Sequence, residues 1–403
     1  MCKSSLYMSE KKRCLACGNN QTSHLFSWLG QTISVCTAPM HARLSRSFLS
    51  SIASRITNPI LSFFIFAYKA VGILQVNNNS EKTASQRGRV LWQEAIKQGI
   101  PMHSFIAFGR PVDLYAAKIN GKNIYFNGLP RPLHTPKNSE WWMDDKFALK
   151  ILLKDAGVPV AQGGVFSTFA PLLKKFHELE KPVIIKPRLG SRGRHTTTNI
   201  HTEADLKKAF DSAKKLCHWV ILEEHLTGSV YRATIIGGKL AGVLAGDPPR
   251  ITGDGISTIA QLIEKKNTNK PQGVKDVTVT EEHLEFLRRQ QYTLETILPA
   301  GTTIDLLEKI GVSYGGNSAE VTNITHPETK RILEKAAAAV ADPLIGFDFI
   351  ISDIAGDPQN QKWGIIECNG LPFINLHYDP IEGPTNEVAK PLWNYVKDHV
   401  EDY

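Results

Sequence analysis

Asp348, Glu367 and Asn369 are the residues whose types and spacing could hold a reaction centre. Asp348 stands inside GFDFIISDI, among Phe347, Phe349, Ile350 and Ile351. Glu367 and Asn369 stand two apart in KWGIIECNGLPFINLH, with Cys368 between them. The two apolar runs flank the turn-rich GDPQNQ, so the spacing predicts a β-hairpin. Side chains alternate along a strand, which puts Glu367 and Asn369 on one face and Cys368 on the other. Unpaired carboxylates on a greasy hairpin are costly to bury, so a cation is expected beside them. Oxygen-only donors favour a hard ion such as Mg²⁺, whose other ligands are commonly waters and substrate phosphates. That chemistry is nucleotide-dependent phosphoryl transfer. For any one of the three, an ordinary cap or turn role is the competing explanation.

A second group lies upstream. Lys186 ends the apolar run Val183-Ile184-Ile185, and the loop Gly190-Ser191-Arg192-Gly193-Arg194 follows at once. Glycines let backbone N–H groups approach an anion, arginines neutralise it, and a lysine beside them is a point charge for phosphate. The pattern is not GxxxxGK[ST], which disfavours a P-loop NTPase. Alone, such a loop is as readily a Gly/Arg surface turn. Val220-Ile221-Leu222-Glu223-Glu224-His225-Leu226 reads as a strand that turns polar at its end. Such an edge can offer backbone groups to an adenine with Leu226 against the ring, or be a plain exposed strand end.

These residues need a scaffold. A chain of 403 residues is expected to form two or three domains. Its 42% apolar and 21% charged residues are ordinary for a globular protein. The net charge is +8, but residues 1–80 set eight basic side chains against Glu10 alone, so the body carries only +1. The high pI therefore does not imply a nucleic-acid surface. Six cysteines (Cys2, Cys14, Cys17, Cys36, Cys217 and Cys368) do not form a disulfide framework, and a reducing cytoplasm fits them. Cys14 and Cys17 make a single CxxC; a zinc site needs four ligands, and His24, Cys36 and His41 are irregularly spaced candidates.

Residues 1–80 read as a basic extension. Leu44, Phe48, Ile52 and Ile56 recur at four-residue spacing among Arg43, Arg46 and Arg55, which predicts an amphipathic helix over 42–56. Residues 42–76 would lie on a membrane surface, form a targeting segment, or pack on the body; the apolar run 60–68 is too short for a confident span. Asn77–Ser80 reads as a linker, and removal of residues 1–80 is expected to leave the fold intact. Residues 81–140 should form a small α/β unit, with a helix ending at Gly99 and three short strands. Residues 141–385 carry a helix ending at Gly157, strands near 158–166, 182–188, 219–226 and 231–246, and helices at Glu203–Lys215, Ile259–Lys266 and Thr329–Asp342. The last segment, 386–403, is expected to be a C-terminal helix. Mixed helices and antiparallel hairpins indicate an α+β (or α/β) chain.

The order MDDK-led helix, VIIKP with a Gly-rich loop, ILEE-x-L-x-G, GFDF and IIECNGLP resembles the ATP-grasp ligases over residues 141–385. TGDGISTIAQLIEKKN, YGGNSAEVTNITHP and the stretch Leu371–Gly383 are similar to the ATP-grasp part of cyanophycin synthetase. The resemblance implies an ATP-grasp fold, two α+β lobes holding ATP, preceded by a short α/β unit. It implies that Lys146 and Lys186 hold phosphates, that Gly190, Ser191, Arg192 and Gly193 close over them, and that Glu223, Glu224 and Leu226 hold the adenine. Asp348, Glu367 and Asn369 would bind one or two Mg²⁺, with Mn²⁺ as the alternative ion. Arg232 and Arg250 would stabilise charge, and His377 would lie near the acceptor. Asn317 and Glu320 are further substrate-contact candidates, and His195 touches phosphate or lies on the surface.

Three departures stand out. Ser229-Val230 occupy the place where related chains carry a ribose-binding acid. Ala245-Gly246-Asp247 stand where an arginine precedes the GDG segment. No Mur-ligase-like domain follows, so one ligation activity is expected. The implied reaction joins a carboxylate and an amine through an acyl phosphate, with amino acids or small peptides as substrates. A non-catalytic ATP-binding scaffold on a membrane and an ATP-grasp phosphotransferase are the alternatives. A cytoplasmic location is expected, and the oligomeric state, a homo-oligomer included, stays open.

Overall fold

The period-2 strand pattern of the 344–369 hairpin has counterparts elsewhere in the chain, and the strands of the described residues gather into four sheets. The computed structural model describes residues 14–17, 21–45, 63–132, 145–190 and 193–403. Most of the amphipathic segment expected over 42–56 lies outside them, as do Ser191 and Arg192.

Helix α1 is His24–Ser45, and α2 is described over 63–70. Strands β1 (Leu74–Asn77), β2 (Met102–Ala107), β3 (Arg110–Ile119) and β4 (Lys122–Asn127) form an antiparallel sheet in that order, with α3 (Gln86–Lys97) after β1. The linker expectation at Asn77 therefore fails. Asn77 is a buried member of β1, and its amide donates to Ser104 Oγ and Lys82 O, each at 2.8 Å.

Helix α4 (Lys146–Asp155) leads into β5 (Gly163–Phe166), α5 (Phe169–Glu178), β6 (Val183–Pro187), β7 (Thr197–Ile200), α6 (Glu203–Lys214) and β8 (Val220–Glu224). The strands pair in the order β5-β8-β6-β7, and α5 and α6 bury Leu172, Phe176, Leu206 and Phe210 against one face. Thr202 starts α6 by accepting the Asp205 N–H, a side-chain N-cap.

The large sheet has the order β13-β10-β9-β14-β15, from β9 (Ser229–Ile236), β10 (Lys239–Asp247), β13 (Asn317–Glu320), β14 (Leu344–Ile351) and β15 (Gly364–Asn369). Between β10 and β13 is an insertion with its own core: β11 (Arg250–Thr252), α7 (Ile259–Thr268), α8 (Glu281–Arg289) and β12 (Thr303–Asp305). Helix α9 (Pro327–Val340) and α4 cover one face of the large sheet, burying Tyr231, Ala233, Val243, Phe347, Phe349 and Cys368. Helix α10 (Ala389–Asp398) returns to α3, where the Trp393 indole donates to Leu91 O at 2.9 Å. The C-terminal helix and the first sheet thus share one core. All the named pairings are antiparallel, so the α+β expectation holds.

Candidate functional site

Register decides what the open face of the large sheet carries. Asp348 lies opposite both Arg232 on β9 and Glu367 on β15; Gly346 lies opposite Thr234 and Asn369; Leu244 lies opposite Arg232 and Glu320. Residues directly opposite share a face. Arg232, Thr234, Glu320, Asp348, Glu367 and Asn369 therefore stand together, while their apolar neighbours in sequence fill the core beneath. The hairpin, and the placement of Cys368 on its far side, agree with the alternation in the sequence.

Arg232 grips Asp348 in a fork, Nε to Oδ1 at 2.7 Å and Nη2 to Oδ2 at 2.9 Å. Burial works against the guanidinium, but Asp348 outweighs it and the Arg232 pKa is raised. The Phe373 ring covers the guanidinium at 5.0 Å, a cation–π contact. Each Asp348 oxygen keeps a second lone pair, so the pair remains compatible with a cation on the far side of the carboxylate. Glu367 is freer: its side chain is 22% exposed, with Lys146 Nζ 3.9 Å away.

Helix α4 starts where Asp145 accepts the N–H groups of Phe147 and Ala148. The same carboxylate takes the Arg188 fork, Nε at 2.9 Å and Nη2 at 2.7 Å, which ties α4 to the end of β6. This capping aims Lys146 at the space between lobes, where its Nζ donates to Gly190 O. One lysine thus links the glycine loop to the carboxylate hairpin.

Glu223 is buried between two lysines, Lys186 Nζ at 3.0 Å from Oε2 and Lys150 Nζ at 2.5 Å from Oε1. Burial pushes the Glu223 carboxyl up, but the two ammoniums outweigh it and hold the group below its ordinary value. Burial pulls Lys150 down despite Glu223. Glu224 points the other way, accepting from Gln162 N–H at 2.9 Å and pairing with Lys362 at 2.8 Å. The Glu224 and His225 N–H groups are taken by Gln162 O and Pro182 O, and Leu226 is buried.

His377 is fully buried in the 3-10 turn Ile374–His377. Its Nδ1 is 2.6 Å from Glu320 Oε2 and its Nε2 is 2.8 Å from Thr234 Oγ1. Gly242 makes room for it: a Cβ there would lie 2.5 Å from His377 Cε1. His377, expected near the acceptor, and Glu320, a substrate-contact candidate, engage their polar atoms with each other and with Thr234, Thr322 and Asn386. Burial pushes Glu320 up, yet the His377 and Thr322 bonds prevail and keep it below its ordinary value.

Arg250 sits apart, at the root of the insertion. It pairs with Asp305 at 2.5 Å and Asp247 at 2.8 Å, and donates to Ser229 Oγ at 3.2 Å. Asn317 donates to Glu382 at 2.7 Å. The insertion also reaches the small lobe, the β5-β8-β6-β7 sheet with α5 and α6, where Glu308 accepts from Thr198 N–H at 3.1 Å and Thr198 Oγ1 at 2.9 Å. His195, expected at phosphate or on the surface, is instead 1% exposed and turned toward Cys14 and Cys17.

Lys150, Arg188 and Thr234 were not among the residues singled out from sequence. Lys150 is one helical turn beyond Lys146, a spacing that marks one face of α4. Nothing local marks Thr234; only the register with Gly346 and Gly242 does.

No protein-family model matches the chain. Over 257 residues it is 31% identical to the cyanophycin synthetase of Synechocystis sp., a match covering 62% of this chain and 29% of that protein. Over 316 residues it is 27% identical to the glutathione biosynthesis bifunctional protein GshAB of Clostridium perfringens, covering 75% of this chain and 40% of that protein. The chain thus spans well under half the length of these relatives. Among solved structures, the bifunctional glutathione synthetase from Pasteurella multocida aligns with a TM-score of 0.51 at 22% identity, over 79% of this chain and 44% of that one. The fold is the ATP-grasp fold, as the motifs implied.

Proposed function

We propose that the chain is an ATP-dependent carboxylate–amine ligase that releases ADP and phosphate. The observation that carries this reading is the convergence around Lys146, which stands between Glu367 of the carboxylate hairpin and Gly190 of the glycine loop. Lys146, Lys186 and the loop 190–193 would bind phosphates, and the backbone through Leu226 with Glu223 and Glu224 would frame the adenine. Glu367, Asn369 and Asp348 supply the oxygen donors suited to one or two Mg²⁺, and Mn²⁺ suits the same donors. When bound, the ion neutralises phosphate charge during transfer.

The substrate carboxylate would attack the γ-phosphorus, breaking the bond to ADP and forming an acyl phosphate. The amine then attacks the acyl carbon and loses a proton, and phosphate leaves. Arg232, held rigid by Asp348 and Phe373, presents a fixed positive charge on the sheet face where negative charge develops. His377 acts as a positioning residue, holding Thr234 and Glu320. Arg250, flanked by two carboxylates, positions the insertion at the edge of the cleft. Similarity to a cyanophycin synthetase and to a glutathione biosynthesis protein supports an amino acid or small peptide as substrate.

The test is incubation with Mg-ATP and pooled amino acids and dipeptides, following ADP and phosphate release beside mass spectrometry. Release dependent on one carboxylate–amine pair, with a product lighter than their sum by a water, supports the ligase. A stable phosphorylated product would move the assignment to a phosphotransferase, and nucleotide binding without turnover to a scaffold. Glu367→Ala is expected to abolish Mg²⁺-dependent turnover; near-normal activity would sink the metal assignment.

The same reading favours a reducing cytoplasm, consistent with Cys14, Cys17, Cys36, Cys217 and Cys368 forming no disulfide among the described residues. No helix among the described residues is long and apolar enough to cross a membrane. Exposed Phe63, Phe64 and Phe66 on α2 support a surface contact of the 42–76 segment with lipid, testable by vesicle co-sedimentation.

A further inference from the structure

The CxxC at the start of the described chain meets two histidines. Cys14 and Cys17 bracket the 3-10 turn Leu15–Cys17, and the Gln21 amide closes the turn by bonding Cys14 N–H and Cys14 O, both at 2.9 Å. This turn docks on the small lobe, where His195 N–H donates to Ala16 O at 2.9 Å. His195 Nε2 lies 3.5 Å from Cys14 Sγ and 3.3 Å from Cys17 Sγ. His24 Nε2 lies 3.4 Å from Cys17 Sγ. The four ligand atoms all fall within 4.8 Å of one another.

Those separations have a geometric meaning. A tetrahedral Zn²⁺ with Zn–S near ~2.3 Å and Zn–N near ~2.1 Å has S···N edges of about 3.6 Å. The three S···N distances approach that edge, with a small contraction. The tautomer of His195 is also set. Its Nδ1 faces Ser212 O at 2.7 Å, and only an N–H can bond a carbonyl, so Nε2 carries the lone pair aimed at the sulfurs. Two thiolates and two neutral imidazoles cancel the charge of a divalent ion, so no net charge is buried. Thiolate and imidazole together suit zinc rather than magnesium or calcium.

We propose that Cys14, Cys17, His24 and His195 bind a structural Zn²⁺ that fastens the N-terminal segment to the small lobe, directly after the glycine loop. Each thiol releases its proton to solvent as its sulfur binds the ion. The ion crosslinks residues far apart in sequence, a closure that only a folded lobe brings together. Helix α1 extends the same contact: the Gln31 amide, oriented with its nitrogen toward the carbonyls, donates to Leu189 O and Leu216 O at 3.1 Å each. Trp28 packs edge-on against His218 with ring centroids 6.1 Å apart. Cys36, the sequence candidate for a further ligand, is exposed on α1 and outside the cluster.

The test uses the full chain. Elemental analysis after purification should find zinc in a one-to-one ratio. The protein is then stripped with a chelator under native conditions and titrated with Co²⁺ alone. The expected spectrum is that of tetrahedral Co²⁺ with a thiolate-to-metal charge-transfer band. Cys36→Ser should keep it; Cys17→Ser and His195→Ala should each lose tight binding. Should a variant not fold, hydrogen exchange on the stripped wild-type protein provides a second readout: adding Zn²⁺ should restore protection over 24–45 and 195–214. An octahedral spectrum without the charge-transfer band, equal metal uptake by the Cys14→Ser/Cys17→Ser double variant, or exchange indifferent to Zn²⁺ would each overturn the proposal.

Discussion

Replacing Glu223 by Gln keeps the side-chain shape and removes the one carboxylate that two buried lysines share. The side chains of Glu223, Lys186 and Lys150 are 2%, 9% and 13% exposed, so water screens little of the lost charge. Removing one partner of a buried ion pair costs about 3–5 kcal/mol, because the remaining charge is left uncompensated. For a domain of roughly 150–250 residues, each kcal/mol lowers Tm by about 2–4 °C, so a fall of about 6–20 °C is expected without nucleotide. Thermal unfolding followed by circular dichroism measures it. Glu224→Gln is the internal control. Its partner Lys362 is 53% exposed, and exposed pairs contribute about 0–1 kcal/mol, so its melting temperature should fall by no more than about 4 °C. The double variant Glu223→Gln/Lys150→Met should regain part of the loss, since one ammonium rather than two is then left without its carboxylate. A Glu223→Gln protein that melts within about 2 °C of wild type would refute the argument, because it would mean that the lysines find another counter-charge.

Further expectations follow from neighbouring contacts. Lys186→Met should weaken Mg-ATP binding by about 10–100-fold, the value of one charge-assisted phosphate bond, measured by calorimetry. Gly242→Ala puts a Cβ 2.5 Å from His377 Cε1 and 2.8 Å from Nδ1, and should destabilise by about 1–3 kcal/mol in urea melts as the ring gives up Thr234 and Glu320. Removing residues 1–80 should lower Tm, because it strips β1 from the edge of the first sheet and Asn77 from Ser104; an unchanged Tm would show that β1 adds nothing. Stability should fall in acid. The folded Glu223 and Glu320 lie below their ordinary 4.5, so their contribution is complete above that value and fades as pH drops through their lower folded values. Glu320→Gln should flatten this acid limb.

Much of this architecture was legible because local chemistry and global fold agree. The hairpin of Asp348 and Glu367 carries period-2 alternation and a turn between its strands, so strand, face and partner could be read directly. Helices α6, α7 and α9 show apolar periodicity with Thr202, Thr258 and Pro327 at their starts. Asn77 misled because an Asn/Ser run normally signals a loop; the register of β1 against β2 overrode that propensity. The burial of His377 was not legible because it depends on Gly242, opposite Thr234 across the sheet, leaving the space that the ring fills.

The sequence by itself determined the mixed strand-and-helix class and the carboxylate face of the 344–369 hairpin, since both follow from local spacing. Tertiary structure alone decided which charges meet. Arg232 reaches Asp348 across 116 positions, and His195 reaches Cys17 across 178. The first pairing depends on strand register, where a one-residue slip would turn both side chains to the opposite face, and the second on how the N-terminal turn packs beside β7.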